Sequence, residues 1–217
     1  MKPQNIFSPS SYKLFGYSFL ILFFELALIR FIPSNVRITA YFINLVLVAA
    51  FLGMGIGMIR VKRDQDLTQF FPPLLLLLVG TCVYFSNIIV VAPRLEEAMY
   101  ASYADISPNS REWGMVPVVS VFFTFSALPF IALGYAMGNE FKNFPALHAY
   151  AINTAGSLAG LLAFSILSYF STPPIIWFGL GGLLFLVLTG KKQNFIISTL
   201  CLGLIFYLVQ SLYQKDH

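Results

Sequence analysis

A chain of 217 residues with only 10% charged side chains has less than half the ~25% charge of an ordinary soluble domain. Its 23 phenylalanines and mean hydropathy of +0.79 are more apolar surface than a water-soluble architecture can hide. The net charge of +4 does not indicate nucleic acid, because the bases lie between apolar runs, where they act as topology signals.

The expected fold is therefore all-α, a polytopic membrane bundle of about seven helices. Residues 1–13 form a polar tail that leads straight into apolar sequence without a small-residue cleavage site, so the first span is expected to be retained. With ~20 apolar residues needed per crossing, spans fall at 14–32, 38–59, 68–92, 115–137, 146–170, 175–189 and 195–213. They make up one membrane domain over 14–213, followed by a polar tail at 214–217.

The first span contains Glu25 near its middle and Arg30 near its end. A carboxylate at that depth is costly against lipid, so it should face protein or a wet cavity. Two roles are open to it: a polar link between helices, or a site for a cationic or hydrogen-bonding ligand. Arg30 lies about 140° round the helix from Glu25, so it belongs to the outer interface, where its side chain can snorkel. Depth counted at ~1.5 Å per residue puts Glu25 ~11 Å, Asn44 ~9 Å and Asn87 ~8 Å below the outer ends of their spans. These three are expected to meet in the outer half.

In the second span Ala49, Gly53 and Gly57 recur every fourth residue, a spacing that lets helices approach closely in lipid. RVKRDQD at 60–66 follows, and its Arg60, Lys62 and Arg63 are the strongest inside signal. With the N-terminus inside, Lys2, Lys13, Arg60, Lys62, Arg63, Lys142, Lys191 and Lys192 are internal. Arg30, Arg37, Arg94, Arg111 and Lys215 are external, which divides the 13 bases eight to five. An odd number of spans then leaves the C-terminus outside.

The long loop near 93–114 carries Leu95, Ala98, Met99 and Tyr103 at helical spacing, which predicts a short amphipathic surface helix. Trp113 marks the return to the interface. With Glu96, Glu97, Asp105 and Glu112 against Arg94 and Arg111 the loop is net −2, a solvated lid or a vestibule attractive to cations. Gly134 and Gly138 in the fourth span, and Gly156 and Gly160 in the fifth, repeat the small-residue spacing. LGMGIG at 52–57 and LGYAMG at 133–138 form a weak internal echo, open to duplication or to chance. Asn153 shares a face with Ala149, Gly156 and Gly160, and His148 stands at the inner interface. Pro173 and Pro174 start the sixth span, and Trp177 can sit in the interface.

No catalytic residue, cofactor or metal site is assigned. Cys82 and Cys201 lie in separate apolar runs without ligand spacing, and GLGGLL at 179–184 is apolar sequence rather than a nucleotide loop.

FELALIRFIPSNVRITAYFINLVLVAAFLGMGIG at 24–57, HAYAINTAGSLAGLLAFSILS at 148–168 and TPPIIWF at 172–178 resemble the integral membrane domain of spermidine synthase-like proteins. The resemblance implies that Glu25, Arg30, Gly53, Gly57, Asn153, Gly156 and Ser157 are recurrent positions. It implies a non-catalytic domain that anchors, or supplies substrate to, a soluble aminopropyltransferase-type partner. It also implies a link to polyamines and a place in a bacterial inner membrane. The soluble domain is absent from these residues, so a fragment, a separately encoded partner and a stand-alone relative all remain open. A second stretch, GMGIGMIRVKRD at 53–64, is similar to the glycine-and-basic loop of major facilitator transporters. It implies a half-sized transporter for a small molecule or cation.

Overall fold

The computed structural model describes residues 9–42, 44–62, 66–86, 88–91, 112–190 and 195–215. Seven α-helices are present among them: α1 Pro9–Asn35, α2 Leu45–Ile59, α3 Phe71–Phe85, α4 Met115–Phe141, α5 Ala146–Tyr169, α6 Pro174–Thr189 and α7 Phe195–Lys215. Five of the helical stretches are long and apolar enough to cross a membrane: Pro9–Asn35, Thr68–Phe85, Met115–Phe141, Ala146–Tyr169 and Phe195–Gln214. The protein is a membrane-embedded helical bundle. Helices α2 and α6, with 15 and 16 residues, are shorter. At ~1.5 Å per residue they fall short of a full hydrocarbon core of ~30 Å.

Two spans differ from the sequence expectation. The stretch expected as one helix over 38–59 opens with a 3-10 turn at Arg37–Phe42, and α2 begins only at Leu45. Thr39 caps that turn by donating to the Val36 carbonyl at 2.6 Å, a local bond that competes with α-helix. The stretch expected over 68–92 leaves the helix at Phe85. Its β-branched residues Ile89–Val91 form strand β1, paired in parallel with β2, Glu112–Gly114, in the register Ile89↔Glu112. A parallel pair needs a connection of a dozen or more residues, and 20 lie between the two strands in sequence. The loop near 93–114, expected to hold a surface helix, lies outside the described residues except for its last three, which are strand.

The helices alternate in direction. The end of α4 meets the start of α1, where Asn143 approaches Ser10 at 3.5 Å. Helices α1 and α5 run parallel, since Gly156 lies against Phe15, Gly160 against Phe19 and Ser168 beside Arg30. Helices α2 and α4 also run parallel, from Gly53 against Ala127 to Val61 against Gly138. Helix α6 returns antiparallel to α1, with Gly181 against Phe24 and Leu188 against Gly16. The bundle thus has a near end, with Ser10, Arg60 and Lys142, and a far end, with Arg30 and Ser168.

Phenylalanine fills the centre. Phe24 meets Phe71 at 5.2 Å between ring centroids, Phe71 meets Phe185 at 4.7 Å, and Phe31 meets Phe178 at 5.0 Å. These edge-on and tilted contacts favour the ring quadrupoles and lock α1, α3 and α6 together. The outer faces of α5 and α7 instead expose Leu147, Tyr150, Ile166, Ile196 and Leu200, as lipid-facing surfaces require.

Candidate functional site

Residues seven apart on a helix fall within about 20° of one another. On α1 this spacing aligns Ser11, Ser18 and Glu25, and all three are buried. The flanks of the line are taken by other helices. Phe15 and Phe19 present their backbone to α5, whereas Gly16, Phe24 and Phe31 meet α6. Ser18 is turned to α5 through Asn153, and Glu25, about 20° further from the α5 face, lies on the side left to α4, which packs on α1 and whose end touches Ser10.

The middle of the line is a side-chain link. Ser18 Oγ lies 2.8 Å from Asn153 Oδ1 on α5 and 2.8 Å from the Leu14 carbonyl. A hydroxyl has one proton, and the two ends of an amide are interchangeable in space. With its amide turned, Asn153 donates to Ser18 Oγ and the serine proton goes to Leu14. Both groups are then satisfied. Directly above Asn153, a Cβ on Gly156 or Gly160 would come closer than 3.0 Å to the Phe15 or Phe19 carbonyl. Such close backbones exclude water from the link and shorten its reach.

The same closeness recurs between α2 and α4. A Cβ on Gly53 or Gly57 would meet the carbonyls of Ala127 or Ile131 at less than 3.0 Å, and one on Gly134 would meet Met54. Gly138 faces Val61 and Met58. The two stretches that echo each other in sequence therefore pack against each other.

At the far end Arg30 is exposed and donates to Ser168 Oγ, and its Cζ lies 5.5 Å from the centre of the Trp177 ring. Trp177 is only 3% exposed, and its Nε1 donates to Thr172 Oγ1 at 2.7 Å. Arg30 thus ties α1 to the corner between α5 and α6, and points away from Glu25. At the near end, Arg60 follows α2 and is exposed, and Lys142 Nζ donates to the Val61 carbonyl at 2.9 Å. Lys62 ends the turn after α2, and Trp113 is in β2. Arg63 and Asn87 lie outside the described residues.

Glu25 is 3% exposed and has no hydrogen-bond or ion-pair partner among the described residues. Asn44 does not join it: it stands exposed at the N-cap of α2, because the 3-10 turn delays the helix and keeps this residue at the rim. The polar residue that best matches Glu25 in depth is Ser126 on α4. From the contact of Ser10 with Asn143, Glu25 lies ~22 Å along α1 and Ser126 ~25 Å along α4. Ser126 is fully buried, and its hydroxyl has no partner among the described residues.

Sequence reasoning assigned no role to Ser18, Ser126 or Ser168, and counted Lys142 only as an internal base. For Ser18 the signal was present, since it stands seven residues before Glu25; Ser126 and Ser168 become visible only through helix pairing. His148 is half-buried beside Phe144. Comparison with family models, with characterised proteins and with solved structures finds no match for the chain.

Proposed function

We propose that this chain is a seven-span, non-catalytic membrane domain of the spermidine synthase-like kind. Its N-terminus lies in the cytoplasm of a bacterial inner membrane, and it anchors, or supplies substrate to, a soluble aminopropyltransferase-type partner. The observation that carries this reading is the close packing of the frame. The pairs α1–α5 and α2–α4 are both in backbone contact through glycine, with Asn153 and Arg30 adding polar ties to the first. Transporters alternate access by rocking one bundle against another. Helices seated backbone to backbone favour a scaffold. Lys13, Arg60, Lys62 and Lys142 at the near end, against Arg30, Arg37 and Lys215 at the far end, favour a cytoplasmic near end. A partner would dock there through the loops after α2 and α4, since seven spans carry the C-terminus to the other side.

One observation favours the second reading, a small-molecule or cation transporter: Glu25 is buried without a partner among the described residues. Two measurements decide. Aminopropyltransferase activity should sediment with membranes and become soluble when this chain is deleted. The purified chain in vesicles should take up no more labelled spermidine than empty vesicles. Uptake lost in Glu25→Gln would select the transporter instead.

A further inference from the structure

We propose that Glu25, Ser126 and the main-chain carbonyl of Phe125 form a buried site for one small alkali cation, a role beyond anchoring and independent of it. The first observation is Glu25 itself. An ionised carboxylate in an apolar interior costs several kcal/mol unless it is paired. Arg30 does not pair with it, being held at the far end by Ser168 and Trp177. Among the described residues no other partner reaches it. The second observation is Ser126, a fully buried hydroxyl without a partner among the described residues, which the count of rise per residue puts at a similar depth on α4, a helix packed on α1.

The third observation is Pro129, inside α4. Proline has no N–H, so the carbonyl four residues earlier, that of Phe125, loses its helical donor. This oxygen is adjacent in sequence to Ser126. One carboxylate, one hydroxyl and one released carbonyl make an all-oxygen donor set with a single negative charge. Such a set suits a hard monovalent ion, and released helix carbonyls serve this purpose in membrane proteins. Ile21, Leu28 and Ile32, on the same side of α1 as Glu25, are all buried and apolar, so they offer the carboxylate no competing donor.

The test uses the purified full chain in detergent, with choline chloride replaced by sodium chloride at constant ionic strength. The apparent Tm should rise by about 5 °C at saturating Na+, as expected for a ligand that binds only the folded form. Glu25→Gln should abolish the rise. Ser126→Ala and Pro129→Ala, the latter returning a donor to Phe125, should each raise the half-saturating Na+ concentration about tenfold, a loss of one good ligand. An equal rise in Glu25→Gln would overturn the site. A second measurement needs no variant: Na+ should slow modification of Glu25 by dicyclohexylcarbodiimide at least fivefold relative to choline, followed by mass spectrometry of its peptide. Equal rates in the two salts, or a dependence on pH alone, would also overturn it. Neither readout involves a transferase or spermidine, so failure here leaves the anchoring role standing.

Discussion

Gly57→Ala is the sharpest test of the bundle's construction, because the backbone of α4 fixes the outcome. The new Cβ would stand closer than 3.0 Å to the Ile131 carbonyl and at 2.7 Å from the Tyr135 nitrogen, where ordinary contact begins at 3.4 Å. Neither atom belongs to a side chain that can swing aside, so the helices must part. A gap of 0.5–1 Å already forfeits about a quarter to a half of each dispersion contact along the seam. Overpacking of this kind costs about 1–3 kcal/mol, and the helix preference of alanine over glycine returns about 0.5–1 kcal/mol. The expected net loss is therefore about 0.5–2 kcal/mol, or roughly 1–8 °C in apparent Tm for a chain of this size. Gly55→Ala is the control within the same helix. Nothing lies within 4 Å of its Cβ position, so only the helix preference acts and the Tm should hold or rise. Adding Gly134→Ala, which meets Met54 from the opposite side, should cost less in the Gly57→Ala background than alone, because the seam is already open. Thermal unfolding in detergent, followed by size-exclusion fluorescence, reads the four variants against the unsubstituted chain. Equal Tm values for Gly55→Ala and Gly57→Ala would refute backbone contact between α2 and α4.

The link between α1 and α5 gives a second expectation. Ser18→Ala and Asn153→Ala should each destabilise by about 1 kcal/mol, and the double-mutant cycle should show coupling near 0.6 kcal/mol, as for other hydrogen bonds between membrane helices; zero coupling would mean the two side chains do not meet. At the far end, Arg30→Lys should fail to restore what Arg30→Gln loses, about 0.5–1 kcal/mol, because an ammonium lacks the planar fork that serves Ser168 and the Trp177 face together. Trp177 is one of only 2 tryptophans, so its emission can report the change; an unaltered spectrum in both variants would speak against the stacked arginine. For topology, reporters fused to the two ends should give signals from opposite sides of the membrane, and signals from the same side would remove one span from the count.

How much of this was legible in the sequence follows from the range of each interaction. Hydropathy is a local property, so the bundle and the approximate positions of its helices can be read from apolar runs alone. Helix ends are set by single bonds, and there the reading fails. Thr39 holds a 3-10 turn where the apolar run continues, and the β-branched residues after Phe85 leave the helix to pair with a strand more than twenty positions later. Periodicity also reaches only as far as one helix. It can nominate Gly53, Gly57, Gly156 and Gly160 as close-packing positions without naming the helix that each of them meets.

Glu25 shows the same limit at the candidate site. A depth count grouped it with Asn44 and Asn87 because it used one coordinate, distance from the outer rim. It carried no information on which faces turn toward each other. Pairing supplies the second coordinate. Once Phe15, Ser18 and Phe19 are committed to α5 and Phe24 and Phe31 to α6, the side of α1 left to α4 is the one that carries Glu25. Ser126 and Pro129 then acquire a meaning that neither has in isolation, since a serine in a membrane helix ordinarily bonds its own backbone, as Ser120 does to the Val116 carbonyl. Ser126 makes no such bond. A hydroxyl that forgoes the nearest carbonyl, one turn from a proline and level with a carboxylate unpaired among the described residues, is best explained by something that belongs between them.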